Sequence, residues 1–225
     1  MSFHQFILFI VGPLVGYLLG SIPFALLIGF SKGVDIRKVG SGNIGATNLG
    51  RTFGSRYFLL AFFFDAGKGF LPTLLISLLA HSWPELPKWA PLLTGIAAML
   101  GHVFPVYLKF KGGKGVATSF GVILGIWPLF TLAGLAAAGV FMVVFMIWRY
   151  ISLASLAGAG TFPIFVFLLG WSDQKILFTR PHLPWSDLIP LLAAATLISL
   201  LIIYKHRSNI QRLIAGTELK AGRKK

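Results

Sequence analysis

Three stretches of this chain mix short hydrogen-bonding side chains, glycine and basic residues in a way that suits phosphate chemistry. The first runs from Val39 to Arg51 and offers Ser41, Asn43, Thr47, Asn48 and Arg51 among Gly40, Gly42, Gly45 and Gly50. Glycine permits unusual backbone angles and lets N–H groups approach a ligand. Successive N–H groups form anion-binding nests, and hydroxyls, amides and an arginine complete an oxyanion cradle. The second stretch sets Gly112, Gly113, Lys114 and Gly115 directly before a helical pattern. A glycine turn entering a helix N-terminus is a ready phosphate site. It lacks the GxxxxGK frame and the following Ser or Thr of a nucleotide-binding loop, which argues against nucleotide hydrolysis. The third stretch, Tyr204–Glu218, places His206 and Asn209 on one helical face at i,i+3. Its Ile210, Leu213 and Ile214 form an apolar stripe suited to lying in a membrane interface.

Plainer readings exist for each: a flexible loop, a basic membrane-flanking turn, and a basic tail held by anionic lipid. Ser152 and Ser155 follow Arg149, and serines so placed often bond only a backbone carbonyl. Asp65 and Lys68 stand at i,i+3 inside an apolar run, as a functional site or as a structural pair that neutralises itself. His182 and Asp187 fit an HxxxxD pattern in which an aspartate can orient a histidine base. Two fixed positions in six residues arise easily by chance, and no glycine–basic constellation accompanies them.

The elements that must position these groups are membrane helices. Of 225 residues, 56% are hydrophobic and 12% charged, and the mean hydropathy is +0.82. Such a chain has too few polar residues to cover a soluble core and reads as an integral membrane protein. Cysteine is absent, which excludes disulfides, thiol nucleophiles and Cys-based metal sites. The formal charge of +14 therefore points to topology signals, anionic lipid or a phosphorylated ligand rather than nucleic acid. The N-terminal Met1–Gln5 carries no Lys or Arg before the first apolar run, so that run is expected to be a retained helix rather than a signal peptide.

Apolar runs fall at roughly 5–30, 54–80, 89–107, 151–170 and 187–204, with a longer one at 116–148. Gly125–Pro128 interrupts that longer run, and proline breaks a helix. All Lys and Arg except Lys68, Lys88, Lys175 and Arg180 fall in 31–56, 108–115, position 149 and 205–225. The positive-inside rule puts those four segments in the cytoplasm. Residues 108–115 and Arg149 then share a side, which requires two short spans between them. The expectation is an all-α polytopic protein of seven transmembrane helices, N-terminus outside and C-terminus cytoplasmic. Residues 1–218 form one transmembrane domain and 219–225 a basic cytoplasmic tail. Gly12, Gly16 and Gly20, and Gly121 with Gly125, make GxxxG spacings expected to bring helices close.

The whole set resembles the bacterial membrane acyl-phosphate:glycerol-3-phosphate acyltransferase (PlsY) family. The resemblance rests on Gly20–Phe24, Ser41–Arg51, Asp65-x-x-Lys68-Gly69, His102-x-x-Pro105, Phe110–Thr118 and His206-Arg-x-Asn209 through Glu218. It spans nearly the whole chain. It implies transfer of a fatty acyl group from acyl phosphate to the sn-1 hydroxyl of glycerol 3-phosphate, the first acylation of phospholipid biosynthesis. Lysophosphatidic acid and inorganic phosphate are the products. It also implies a bacterial inner-membrane enzyme whose site faces the cytoplasm, with no acyl-CoA, metal or cofactor and no nucleic-acid partner. On that basis Lys114, His206, Asn209 and Arg51 are the expected catalytic residues. Ser41, Gly42, Asn43, Thr47, Asn48, Gly112, Gly113, Ser152 and Glu218 are the expected substrate contacts. The N–H groups of Gly112–Gly115 and of the Ser41–Thr47 loop hold the acyl phosphate in this picture, with Lys114 assisting the leaving group. Arg51, His206, Asn209 and Ser152 aim the glycerol 3-phosphate hydroxyl. The proton acceptor is either His206 or a substrate phosphate oxygen.

Two other classes fit part of the pattern. A transporter of organic phosphates would hold its ligand near the midplane on broken helices. A lipid-binding scaffold would carry Lys/Arg clusters without the Gly/Ser/Asn/Thr loops. Collection of the donor-rich segments on one face favours an interfacial enzyme.

Overall fold

The computed structural model describes residues 1–83, 87, 89–171 and 183–221, and all regular structure among them is helical. The first span starts with a four-residue helix, α1 (Phe3–Phe6), and passes through a π-turn at Ile7–Val11 into α2 (Gly12–Gly20). It breaks at Pro23, which has no N–H to donate, and resumes as α3 (Phe24–Ser31). A short helix, α4 (Ala46–Phe53), then lies across one end of the bundle. Its Leu49 is fully buried among Leu26, Ile36 and Ala61. Gly54, at φ +95, permits the abrupt turn from α4 into α5 (Ser55–His81).

The remaining helices are α6 (Pro91–Val103), α7 (Val116–Leu124), α8 (Leu129–Trp148), α9 (Ile151–Trp171), α10 (Trp185–Lys205) and α11 (Arg207–Ile214). Six stretches are long and apolar enough to cross a membrane: Phe3–Ser31, Ser55–His81, Pro91–Leu108, Leu129–Trp148, Ile151–Trp171 and Trp185–Lys205. The interruption of the 116–148 run falls at Gly125–Pro128 as the sequence predicts, but the two halves are unequal. The nine residues of α7 rise only about 14 Å, under half the hydrocarbon thickness. The expected pair of short spans is therefore one full-length helix, α8, and one short helix, α7.

Small residues bring the helices together where the GxxxG spacings foretell it. A Cβ on Gly20 would fall 2.0 Å from Ala98 O, and one on Gly16 2.6 Å from Thr94 O, so α2 lies directly on α6. A Cβ on Gly121 would fall 1.9 Å from Ala66 O, which seats α7 on α5. The largest apolar core joins α6 to α10 around Met99, Val122, Phe130 and Phe162. Leu14, Phe63, Leu71, Met146, Ile164 and Leu200 are exposed on the outside, as lipid-facing residues are.

Long-range contacts bring the four basic segments to one end. Arg51 reaches Leu219 O, Lys114 meets Asn209, and Ala221 N donates to Arg149 O. Packing thus continues past residue 218 to at least Ala221; residues 222–225 of the basic tail lie outside the described residues.

Candidate active site

A polar cavity of about 110 Å³ opens where these segments meet. Ser41, Asn43, Thr47, Asn48, Arg51, Lys114, Ser152, His206, Asn209 and Glu218 line it, so most of the expected site residues come together. Two helix N-termini also face it, through Gly45–Thr47 of α4 and Gly115–Ala117 of α7. Neither helix has a side-chain N-cap. At α4 the Gly45 N–H is spent on Asn43 Oδ1 and the Asn48 N–H on Gly45 O, which leaves the N–H groups of Ala46 and Thr47 toward the cavity; both helix dipoles favour an anion there.

The basic side chains are held by a connected set of hydrogen bonds. Lys114 Nζ donates to Asn209 Oδ1. Asn209 Nδ2 donates to Glu218 Oε1 at 2.7 Å, Ser152 Oγ to the same oxygen at 2.8 Å, and Arg212 Nε to Glu218 Oε2 at 2.7 Å. Burial pushes the Glu218 carboxyl up, but donors from Arg212, Asn209 and Ser152 outweigh it and hold the group below the usual range. Burial pulls Lys114 down to about 8, assisted by the charges of Arg212, Arg51 and Lys205 and opposed by Glu218. Burial also lowers Arg51, with Glu218 opposing; a guanidinium starts so high that it stays charged.

His206 is set differently from a free histidine. Its Nδ1 lies 2.8 Å from Ile202 O. A carbonyl only accepts, so Nδ1 carries the proton and Nε2 is the acceptor. Burial, then the Lys114 charge, lowers the ring to about 4. The ring is neutral near pH 7, where the sequence suggested a base titrating in that range.

Other expected contacts are committed elsewhere. Gly113 donates its N–H to His102 O at 3.0 Å, so that group is not free for phosphate. Gly112 is packed against the end of α6, where a Cβ would fall 2.2 Å from His102 O. These two glycines shape the turn, and the anion-facing N–H groups lie just after them. Gly42, at φ +70, closes a turn by donating to Val39 O at 3.0 Å. Asn48 is 1% exposed. Its Nδ2 donates to Ile36 O and Val39 O, and its Oδ1 accepts from Ser41 N, so its amide braces the loop.

Arg212, Asp65, His102 and Ser155 belong to the site or its support and were not among the expected site residues. Arg212 lies one turn beyond Asn209 on α11, the one local cue that it joins the same cluster. His182 of the HxxxxD pattern lies outside the described residues. Asp187 begins α10, about 28 Å along the helix axis from His206, far from the cavity.

A second cavity, of about 250 Å³ and almost wholly apolar, adjoins the first. Phe62, Val116, Phe141 and Ser155 line both. Ile123, Ala137, Ala138, Ala159 and Phe162 continue it between α7, α8 and α9. A single cavity that favours anions thus adjoins a slot able to take a hydrocarbon chain.

The chain is similar to known proteins in sequence and in fold. Residues 10–216 match the glycerol-3-phosphate acyltransferase family. A glycerol-3-phosphate acyltransferase of Trichlorobacter lovleyi is 49% identical over 204 residues, covering 91% of this chain and 93% of its own. One from Aquifex aeolicus is 41% identical over 203 residues, covering 90% and 93%. The crystal structure of PlsY, an integral membrane glycerol 3-phosphate acyltransferase, in its glycerol 3-phosphate form superposes with a TM-score of 0.79 at 39% identity, over 94% of each chain. Its lysophosphatidic acid form gives 0.76 at 38% identity, again over 94% of each chain.

Proposed function

The chain belongs to the glycerol-3-phosphate acyltransferase family, and on that premise we propose that its acyl donor is acyl phosphate and its acceptor the sn-1 hydroxyl of glycerol 3-phosphate. The observation that carries this reading is the joining of a doubly capped anion cavity to an apolar groove. An acyl phosphate has that shape: a charged head and a long tail. Its own phosphate is a good leaving group, which suits a chain without cysteine.

The acyl chain lies in the groove between α7, α8 and α9, and its phosphate meets the N-terminus of α7 and Lys114. Glycerol 3-phosphate sits against Arg51, Ser41, Asn43, Thr47 and the N-terminus of α4, with its hydroxyl toward His206 and the acyl carbonyl. The hydroxyl oxygen forms a bond to the carbonyl carbon. The carbonyl carbon–oxygen bond to phosphate breaks, and the electron pair leaves on that oxygen as inorganic phosphate. The hydroxyl proton goes to a phosphate oxygen. A phosphate monoester with a second pKa of about 6 is a stronger base than a ring lowered to about 4, so His206 Nε2 accepts a hydrogen bond and aims the hydroxyl. Fixed positioning and preorganised charge supply most of the rate.

We place the site on the cytoplasmic side of a bacterial inner membrane. The four basic segments share that end of the bundle, and the positive-inside rule assigns it. With α7 counted, the chain makes seven passes, N-terminus outside and C-terminus inside. The catalytic domain includes residues 1–218 and the packed start of the basic tail, whose Leu219 O and Ala221 N meet Arg51 and Arg149.

The test is turnover by the purified protein in lipidic mesophase with palmitoyl phosphate and glycerol 3-phosphate, without acyl-CoA or divalent metal. Lysophosphatidic acid and phosphate released in equal amounts, and lost on Lys114→Ala, support the reading. Product formed only from acyl-CoA overturns the donor assignment.

A further inference from the structure

A charged cluster beside the cavity has no part in the chemistry above. Asp65 and Lys68, one turn apart on α5, are 2% and 6% exposed. Lys68 Nζ lies 2.8 Å from Asp65 Oδ1, a buried ion pair. The same ammonium donates to Ile22 O at 2.7 Å, at the break before Pro23 in the first span. On its other side, Asp65 Oδ1 stands 3.6 Å from His102 Nδ1, a buried nitrogen with no hydrogen-bond partner among the described residues.

The His102 ring in turn supports the glycine turn. A Cβ on Gly113 would fall 2.1 Å from His102 Nε2, and the Gly113 N–H is held by His102 O. Asp65 and His102 both line the cavity that Lys114 enters. The order of contact is therefore Ile22, Lys68, Asp65, His102, Gly113, with Lys114 next in the chain.

Cohesion alone does not account for this arrangement. A buried ion pair costs desolvation, and apolar residues of similar volume often stabilise as well or better. An apolar replacement has no charge with which to orient an imidazole. We propose that Asp65 is a positioning residue for the phosphate-binding turn. Its carboxylate orients His102, and the His102 ring sets Gly113 and, through it, Lys114 and the N-terminus of α7. Lys68 supplies the counter-charge and ties the cluster to the break in the first span. This rests on the reading of that turn as a substrate-phosphate site.

The experiment compares wild type with Asp65→Asn, Asp65→Asn/Lys68→Met and His102→Gln in mesophase, by thermal unfolding, steady-state kinetics and inhibition by inorganic phosphate. Asp65→Asn alone lowers the unfolding midpoint, because Lys68 is left unpaired. The double variant removes both charges and regains the midpoint, yet its kcat/KM stays roughly 10- to 100-fold below wild type. His102→Gln leaves the Asp65–Lys68 pair intact and shows a loss of the same order. In both, inhibition by inorganic phosphate weakens, which a purely cohesive role does not produce. Wild-type turnover in either variant overturns the proposal, and if the double variant does not fold, His102→Gln decides alone. A wild-type protein inactive with acyl phosphate fails the reading of the site instead; active wild type with unaffected variants fails only this inference.

Discussion

Asn209 donates Nδ2 to Glu218 Oε1 at 2.7 Å, which fixes its amide so that Oδ1 faces the Lys114 ammonium. One neutral side chain thereby couples the Glu218 carboxylate to the Lys114 ammonium. Glu218→Gln removes the charge that fixes this orientation and strands Arg212. The expected result is a loss of about 1–3 kcal/mol of stability together with a fall in kcat, read by thermal unfolding and turnover. Unchanged values for both would show that Asn209 is held by other means.

Lys114, lowered to about 8 in the free protein, gives a pH signature. The amine is charged below that value and neutral above it, so phosphate attraction fades as pH rises through it. The profile of kcat/KM, which reports the free enzyme, is expected to fall above about pH 8. Lys114→Arg retains charge at every assay pH and should remove that alkaline limb even where its maximal rate is lower. Persistence of the limb in the arginine variant would assign it to another group.

His206→Gln separates aiming from proton transfer. If His206 Nε2 only accepts a hydrogen bond from the hydroxyl, glutamine keeps part of that contact. The expected change is a higher KM for glycerol 3-phosphate with kcat reduced by less than about 100-fold. A collapse of kcat by the 10²–10⁴-fold typical of a lost base would make His206 the proton acceptor.

Gly113 and Gly139 form a matched pair of alanine substitutions. A Cβ at Gly113 meets the His102 ring at 2.1 Å, whereas nothing lies within 4 Å of one at Gly139. Gly113→Ala should shift the turn and cost roughly 10- to 100-fold in kcat/KM, and Gly139→Ala should be silent in the same assay. Equal behaviour of the two would mean that the turn tolerates displacement.

The apolar groove makes a prediction about chain length. Ala138 lines it on α8, and Ala138→Phe fills part of its volume. Turnover of palmitoyl phosphate should fall while that of octanoyl phosphate is retained, in side-by-side initial rates. A uniform loss with both donors would place the acyl chain elsewhere.

Much of this protein was legible in its residues, because the signals are local. The long helices follow from apolar runs, the break at Gly125–Pro128 from proline, and the α2–α6 and α5–α7 seams from glycines four apart. Ser41, Arg51, Lys114, His206 and Asn209 announced themselves as donors set among glycines or on one helical face. What the sequence does not carry is which partner each donor chooses. Lys114 and Asn209 are 95 positions apart, and Ser152 and Glu218 are 66 apart. A hydrogen-bonding group looks free in sequence whether it faces substrate or is already spent, as Asn48 is on Ile36 O and the Gly113 N–H on His102 O. The types of residue and their collection at one end of the bundle were determined by the sequence alone. Only the tertiary structure decided which of them stay unpaired, because pairing is set by distances across the bundle that periodicity and spacing along one chain do not encode.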